Sequence, residues 1–281
     1  MKTRCIFFAL CFLFLCGCAP GTDGGEVTVV FSPIVTSNVV ATPEVTPPAA
    51  TESPEPTEAV EITPVLGETP SAGQGYLDRI IFLGDSTSYG LKYYAKLSGG
   101  KETKQVWTPA SGTLTLDHQG YATIVYPPTG EEISIRDAVT DAKPEILMIT
   151  LGVNGVSFLG EDNFKAEYGD LVSDIMEISP DTRIIIQSIF PVAASYEYLK
   201  SINNDKINAA NGWLRDLALE YGLRYLDTAS VLAVGTGGFL PETYHNGDGI
   251  HLNGETFTIV LDYIKTHALP GYAIAPPEFG E

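Results

Sequence analysis

A serine, a histidine and an aspartate have the types and spacing needed for nucleophilic catalysis. Ser86 follows Gly84 and Asp85 at the end of an apolar run in RIIFLGDSTSYGL, where a sharp turn can expose its hydroxyl group. Serine is a poor nucleophile unless a base removes its proton. In NGDGIHLN, Asp248 precedes His251 by three residues, so its carboxylate can accept the imidazole Nδ1–H and leave Nε2 free for Ser86. Together the three side chains predict attack on an ester carbonyl.

Such an attack creates an oxyanion, which requires preorganised hydrogen-bond donors. Asn154 follows a second apolar run and can supply a side-chain N–H, while Ser86 can supply its backbone N–H. Each group also has a plainer interpretation: Ser86 or Asn154 as a helix cap, and His251 as a buried structural histidine. His245, Asp248 and His251 could instead ligate a metal ion. The order of the groups favours catalysis, and we predict no metal and no other cofactor.

The elements that would position these residues alternate between two hydrophobic patterns. Short apolar runs typical of buried parallel strands occupy residues 79–83, 145–152, 183–190 and 223–228. Helical periodicity follows at residues 164–176 and 210–221, and a closing helix is predicted at 254–269. This alternation predicts a parallel sheet with helices on both faces, whose strand carboxyl ends share one edge. The segment 101–132 is less regular, and a hairpin turning at residues 127–130 is expected at its end.

Three short blocks resemble the SGNH, or GDSL-type, hydrolases. Residues 84–86 read Gly-Asp-Ser, as in the first block of that family, and residues 152–154 read Gly-Val-Asn, as in the third. Residues 248–251 read Asp-Gly-Ile-His and match the last block, which carries Asp-x-x-His. The third block departs from the family at Gly155, where aspartate is usual. We expect that change to affect the packing around Asn154 rather than the chemistry.

The resemblance implies a flavodoxin-like α/β fold, a three-layer α/β/α sandwich with a central, mostly parallel sheet. It implies that Ser86 is acylated and that His251, oriented by Asp248, acts first as base and then as acid. It also implies an oxyanion hole made by the backbone N–H groups of Ser86 and Gly112 and the side chain of Asn154. Gly112, in TPASGTLTL, is the best match to the family's second block. Asp85 is interpreted as a structural turn residue.

The N-terminal part predicts export and tethering. Basic residues precede an apolar run at residues 6–17, which indicates a signal peptide over residues 1–17. The run that ends in Cys18 resembles a bacterial lipobox, so we predict that Cys18 is lipidated. Residues 18–75 are rich in Pro, Thr and Glu and predict a disordered linker, in which residues 26–40 could dock as an edge strand. The hydrolase-like domain is assigned to residues 76–281.

These observations predict an exported bacterial lipoprotein, anchored to the cell membrane or outer membrane, with its domain extracytoplasmic. All four cysteines lie at or before Cys18, so the domain has none for disulfides. A formal net charge of −19 argues against nucleic acid as a partner.

The predicted activity is that of a surface-tethered serine esterase. Its expected substrate is a small acyl ester or an acylated glycan, including O-acetylated carbohydrate. The alternatives are an O-acyltransferase that uses the same site and a catalytically retired glycan-binding lipoprotein. Aromatic residues that could line a cleft or belong to the core are Tyr89, Tyr93, Trp107, Phe239 and Tyr244.

Overall fold

A computed structural model describes residues 63–272 as an α/β domain. Its strands, in chain order, are β1 (Ile80–Gly84), β2 (Val106–Trp107), β3 (Thr123–Val125), β4 (Glu132–Ser134), β5 (Ile146–Thr150), β6 (Arg183–Gln187) and β7 (Arg224–Leu226). The helices are α1 (Gly73–Leu77), α2 (Ser86–Tyr93), α3 (Ile135–Ala142), α4 (Glu161–Ile178), α5 (Asn204–Glu220), α6 (Thr228–Leu232) and α7 (Gly254–Thr266). Across residues 63–272, no helix combines the length and apolar character needed to cross a membrane.

Five strands form a parallel sheet in the order β2-β1-β5-β6-β7. Leu83 pairs with Ile149, and Gly84 pairs with Thr150, so β1 and β5 end at the same level. The loops after these two strands therefore meet at one edge of the sheet, as the sequence predicts.

Both faces of the sheet are covered, which explains why the strands are apolar along their whole length. On one face, Leu83 and Ile149 join a buried cluster with Phe164 of α4 and Leu214 of α5. On the other, Phe82 joins a cluster whose helical members are Leu91 of α2, Tyr76 of α1 and Phe257 and Val260 of α7. The predicted three-layer α/β/α sandwich is thus confirmed.

The four predicted strands and three predicted helices are present with small shifts at their ends. The predicted hairpin is also present, because β3 and β4 pair antiparallel. The edge strand β2 was not predicted, since two residues are too few to give a pattern.

The folded part begins earlier than the predicted boundary at residue 76. Leu66 donates its N–H to Tyr225 O at 2.8 Å, and Thr69 donates to Thr266 O at 2.6 Å. Leu66 is also buried. Residues 63–75, assigned to the linker from composition, therefore pack on the domain. The predicted signal peptide, Cys18 and residues 26–40 lie outside the described residues.

Candidate active site

Ser86 is the first residue of α2, at the edge of the sheet where β1 ends. Asp85 caps this helix and accepts a hydrogen bond from Thr87 N–H at 2.9 Å. The helix lies close to α7, because a Cβ atom on Gly90 would come within 2.2 Å of the Phe257 ring. Only a residue without a side chain permits this approach. The close packing of α2 against α7 sets the position of the serine hydroxyl.

The structure brings Ser86, His251 and Asp248 together. His251 Nε2 lies 2.8 Å from Ser86 Oγ, and His251 Nδ1 lies 2.7 Å from Asp248 Oδ2. Both distances are within hydrogen-bonding range. The three side chains predicted as nucleophile, base and orienting acid therefore form one continuous hydrogen-bonded chain.

Asp248 is held in place by the backbone of its own loop. Its Oδ1 accepts the N–H groups of Ile250 and His251, each at 2.9 Å. Burial raises the pKa of Asp248, but the backbone N–H groups of His251 and Ile250, together with the His251 imidazole, outweigh it and hold that pKa below its usual value. The carboxylate therefore stays ionised while its other oxygen faces the imidazole.

The same loop is shaped by a second histidine, His245, whose side chain is only 5% exposed. Its Nδ1 lies 3.0 Å from the N–H groups of Gly247 and Gly249, while its Nε2 lies 3.0 Å from Glu242 Oε2. Because backbone N–H groups only donate, Nδ1 must be unprotonated and Nε2 must carry the hydrogen. His245 thus acts in the structure as a fixed acceptor that closes the loop.

This arrangement bears on the metal site considered from sequence. The lone pair of His245 Nδ1 is used by two backbone N–H groups, and His251 Nδ1 faces Asp248. Among residues 63–272, no group of three or more His, Cys, Asp or Glu side chains is arranged to hold a metal ion.

Gly249 docks this loop on the segment after β6. Its φ is +84°, and a Cβ atom there would lie 2.8 Å from Tyr196 Cα. Its carbonyl also accepts Ala193 N–H at 2.8 Å. A side chain at this position would be strained and would collide with backbone, so the contact requires glycine.

The three predicted oxyanion donors differ in the hydrogen bonds that they make in the structure. The Ser86 N–H begins α2, where N–H groups have no acceptor within the helix. A Cβ atom on Gly112 would lie 3.8 Å from Ser86 Cβ, so this glycine is a neighbour of the serine. Its N–H donates to Pro109 O at 2.9 Å. Asn154 Nδ2 donates to Asp85 Oδ2 and to Leu114 O, each at 3.2 Å.

Comparison with protein families gives a match over the region that contains these residues. The profile of the GDSL-like lipase/acylhydrolase family matches residues 82–257, which is more than half of the chain. The chain belongs to the GDSL-like lipase/acylhydrolase family. The predicted family is therefore confirmed, and the match contains Ser86, Asp248 and His251. No curated protein matches the chain.

Several solved structures resemble the chain at low identity. A GDSL-like lipase from Bacteroides thetaiotaomicron is 18% identical, with 67% of this chain and 87% of that one covered and a TM-score of 0.45. A lipase/acylhydrolase from Enterococcus faecalis is 16% identical, with 66% and 93% covered and a TM-score of 0.46. A DUF4886 family protein from Bacteroides uniformis is 18% identical, with 71% and 87% covered and a TM-score of 0.49.

Asp85, the middle residue of the family's first block, is completely buried. Burial raises its pKa to about 6, against the lowering effect of hydrogen bonds from the Thr87 hydroxyl and N–H groups. Its second oxygen accepts Asn154 Nδ2–H. The structural role predicted for Asp85 therefore includes a contact that sequence reasoning missed: it orients the amide of the family's third block.

Two open cavities meet at Ser86. One, of about 440 Å³, is lined by Ser86, Tyr89, Gly90, Tyr93, Tyr94, Asn246, His251 and Leu252. The other, of about 450 Å³, is lined by Ser86, Tyr89, Lys92, Val106, Thr108, Pro109, Ala110, Ser111, Gly112 and Val125. Of the aromatic residues considered from sequence, Tyr89 and Tyr93 line this cleft. Trp107 lies in the core instead, and Phe239 and Tyr244 line neither cavity.

Replacing His245 is expected to disturb the active-site loop. The His245→Leu variant leaves the N–H groups of the exposed Gly247 and the buried Gly249 without their acceptor. Loss of the acceptor of the buried group should lower the free energy of unfolding by about 1–3 kcal/mol. His245→Asn places an oxygen near the position of Nδ1 and should restore part of this stability and of the ester-hydrolysis kcat. Urea unfolding and steady-state kinetics measure both, with the exposed His118→Leu as control. Equal losses in the Leu and Asn variants would contradict this role.

The raised pKa of Asp85 predicts a pH dependence of stability. A carboxyl whose pKa is higher in the folded than in the unfolded protein contributes stability that is full below pH 4 and is lost as the pH rises through about 6. Wild type should therefore gain about 2–3 kcal/mol relative to Asp85→Asn between pH 7 and pH 4. Urea unfolding of both proteins at each pH tests this, because the variant shares all other titrating groups. Parallel pH profiles for the two proteins would show that Asp85 ionises normally.

Proposed function

We propose that this family member is a serine esterase that hydrolyses a small acyl ester through a Ser86–His251–Asp248 triad. The family supports ester hydrolysis in general. The observation that carries the specific proposal is the hydrogen-bonded chain from Ser86 Oγ to His251 at 2.8 Å and from His251 to Asp248 at 2.7 Å. For the substrate, the sequence predicts an acyl ester such as O-acetylated carbohydrate.

In the first step, Ser86 Oγ attacks the ester carbonyl carbon while its proton passes to His251 Nε2. Asp248 accepts the Nδ1–H throughout, which keeps Nε2 directed at the serine and stabilises the imidazolium. The tetrahedral intermediate then loses its alcohol as the carbon–oxygen ester bond breaks. His251 Nε2 returns its proton to that alcohol, and the acyl group remains on Ser86.

The negative charge on the carbonyl oxygen is stabilised in the proposal by Ser86 N–H, Gly112 N–H and the Asn154 amide. Gly112 and Asn154 donate to Pro109 O and Leu114 O in the structure. The oxyanion carries more charge than either carbonyl and forms the stronger hydrogen bond, so it can draw these donors from their acceptors. Asp85 keeps the second Asn154 N–H occupied and fixes the plane of the amide.

Water completes the cycle. His251 Nε2 takes a proton from a water molecule, whose oxygen attacks the acyl carbon. The bond between that carbon and Ser86 Oγ breaks, the carboxylic acid leaves, and the proton returns to Ser86. The enzyme is regenerated without a cofactor, since every proton moves between Ser86, His251 and the reactants.

Substitution of the triad should abolish most turnover. Ser86→Ala, and separately His251→Ala, should reduce kcat for p-nitrophenyl acetate by about 10⁴-fold or more, and Asp248→Asn by about 10²–10⁴-fold. Ser86→Ala should also prevent labelling by a fluorophosphonate, whereas the surface variant Ser98→Ala keeps both properties. An unlabelled wild-type protein, or a Ser86→Ala variant as active as wild type, would refute the proposal. Acylated sugar formed on addition of a sugar acceptor would instead identify acyl transfer.

We also propose that Cys18 carries a lipid that anchors the protein to a bacterial membrane, with the domain outside the cytoplasm. The apolar run before Cys18 and the Pro-rich residues after it support this. In a bacterial host, labelled palmitate should enter wild type and not Cys18→Ala, and wild type should fractionate with membranes. Cys16→Ala is the matched control and should keep the label. Equal labelling of wild type and Cys18→Ala would exclude this anchor.

A further inference from the structure

The two cavities beside Ser86 differ in which catalytic group they contain. His251 lines the cavity of about 440 Å³ and not the other, whereas Gly112 lines only the cavity of about 450 Å³. Ser86 and Tyr89 line both, so the scissile bond sits where the cavities join. We call the first the tyrosine cavity and the second the Gly112 cavity.

This difference indicates which cavity holds the alcohol and which holds the acyl group of the ester. The group that protonates the departing alcohol must reach its oxygen, and in the proposed reaction that group is His251 Nε2. The alcohol therefore occupies the tyrosine cavity, which His251 lines. The acyl group points away from His251 and occupies the Gly112 cavity, next to a predicted donor of the oxyanion hole.

The tyrosine cavity presents aromatic faces to solvent. Tyr89 is 44% and Tyr93 is 56% exposed, although both are large aromatic side chains. Their ring centres lie 6.5 Å apart, and Tyr93 packs edge-on against Tyr94 at 4.8 Å. Tyr94 in turn packs on the buried Phe257 at 6.2 Å. The exposed rings are therefore held from below by the core and are preorganised to stack on a ligand.

The chemistry of this cavity fits a neutral, polyhydroxylated ring. Apart from His251, its lining contains no ionisable acid or base other than tyrosine hydroxyls, and Asn246 adds an amide. A sugar ring has C–H faces that stack on aromatic rings and hydroxyl groups that bond to tyrosine and asparagine. Lys101 Nζ lies 5.7 Å from the Tyr93 ring centre, but Lys101 does not line this cavity. A phosphorylated alcohol would find no cationic side chain in the lining.

The Gly112 cavity has a mixed lining. Its apolar members are Val106, Pro109, Ala110 and Val125, and its polar members include Lys92, Thr108 and Ser111. Val106 is almost fully buried, so the cavity reaches down to the first residue of β2. The apolar group of residues in this cavity, which includes no exposed aromatic ring apart from Tyr89, suits a short acyl chain.

From these observations we infer that the cleft is divided, with a carbohydrate hydroxyl as the leaving alcohol in the tyrosine cavity and the acyl chain in the Gly112 cavity. This inference rests on the proposed esterase function. It makes Tyr93 a determinant of alcohol selectivity and Ala110 a determinant of acyl-chain selectivity, because each lines only one of the two cavities.

The alcohol side is tested with two acetate esters that differ only in the alcohol, methyl 6-O-acetyl-glucopyranoside and ethyl acetate. Wild type should prefer the sugar ester in kcat/KM. Tyr93→Ala should reduce the ratio of the two kcat/KM values by about fivefold, as expected for loss of one aromatic contact. Tyr93→Phe should keep most of the preference. Tyr121→Ala, which removes a 71% exposed tyrosine that lines neither cavity, should leave the ratio unchanged.

The acyl side is tested with p-nitrophenyl acetate and p-nitrophenyl hexanoate, which share one alcohol. Ala110→Phe fills part of the Gly112 cavity and should reduce the hexanoate-to-acetate ratio of kcat/KM by about tenfold. The same variant should not change the sugar-to-ethyl ratio, and Tyr93→Ala should not change the hexanoate-to-acetate ratio.

Several outcomes would overturn the division of the cleft. These are a wild type without preference for the sugar ester, a preference that survives Tyr93→Ala, and effects that appear on the opposite pair of substrates. Fluorophosphonate labelling of Ser86 separates failure of this division from failure of the esterase function. Labelled variants with unaltered ratios would refute only the division, whereas absence of labelling and turnover in wild type would refute the esterase itself.

Discussion

The hydrogen bond between Ser86 Oγ and His251 Nε2 depends on structure from both ends of the domain. The two residues are 165 positions apart, yet the atoms lie 2.8 Å from each other. Ser86 is placed by α2, which approaches α7 closely because Gly90 leaves room for Phe257. His251 comes from the loop just before α7, and that loop is closed by His245. Because α7 directly follows the histidine and also supports the helix of the serine, a single packed element fixes both partners.

The buried carboxylate of Asp85 is unfavourable for stability but positions two parts of the site. Burying a carboxylate is unfavourable unless its charge is compensated by hydrogen bonds, and the raised pKa of about 6 reports that the compensation is incomplete. In its buried position the carboxylate orients groups from two different elements. One oxygen accepts both donors of Thr87 at the start of α2, and the other accepts the Asn154 amide from the loop after β5. An asparagine at this position would have to direct its NH₂ group at either the Asn154 amide or the Thr87 donors. In both cases two donors would face each other. The aspartate therefore links the nucleophile's helix to the predicted oxyanion donor through acceptors alone.

The sequence predicted the parts of the fold that depend on pattern and missed those that depend on tertiary contact. Four strands and three helices could be predicted because their apolar runs and periodicity are long enough to be distinctive. The two-residue strand β2 and the packing of residues 63–75 could not, since the first has no pattern and the second has linker-like composition.

In the site, block spacing indicated Ser86, Asp248 and His251, which the structure places in contact. The role of His245 in closing the loop was hidden because its Nδ1 accepts backbone N–H groups, which leave no trace in residue types. The sequence also showed that Gly155 stands where the family usually has aspartate. In the structure this glycine is tightly packed, because a Cβ atom there would lie 3.0 Å from Leu159 Cδ1.

The asymmetry of the cleft also bears on the fate of the acyl-enzyme. In the proposed reaction the acyl group stays on Ser86 and keeps the Gly112 cavity filled, while departure of the alcohol empties the tyrosine cavity. The next nucleophile must lose its proton to His251 Nε2, and that atom is reached from the tyrosine cavity. Water and any acceptor alcohol therefore compete for the same space, beside rings that favour a sugar over water. Hydrolysis dominates as long as the acceptor is dilute or dissociates before its hydroxyl reaches the histidine. In the proposed reaction, the balance between hydrolysis and transfer is therefore set on the alcohol side of the cleft and not by the triad, which performs the same proton transfers in both reactions.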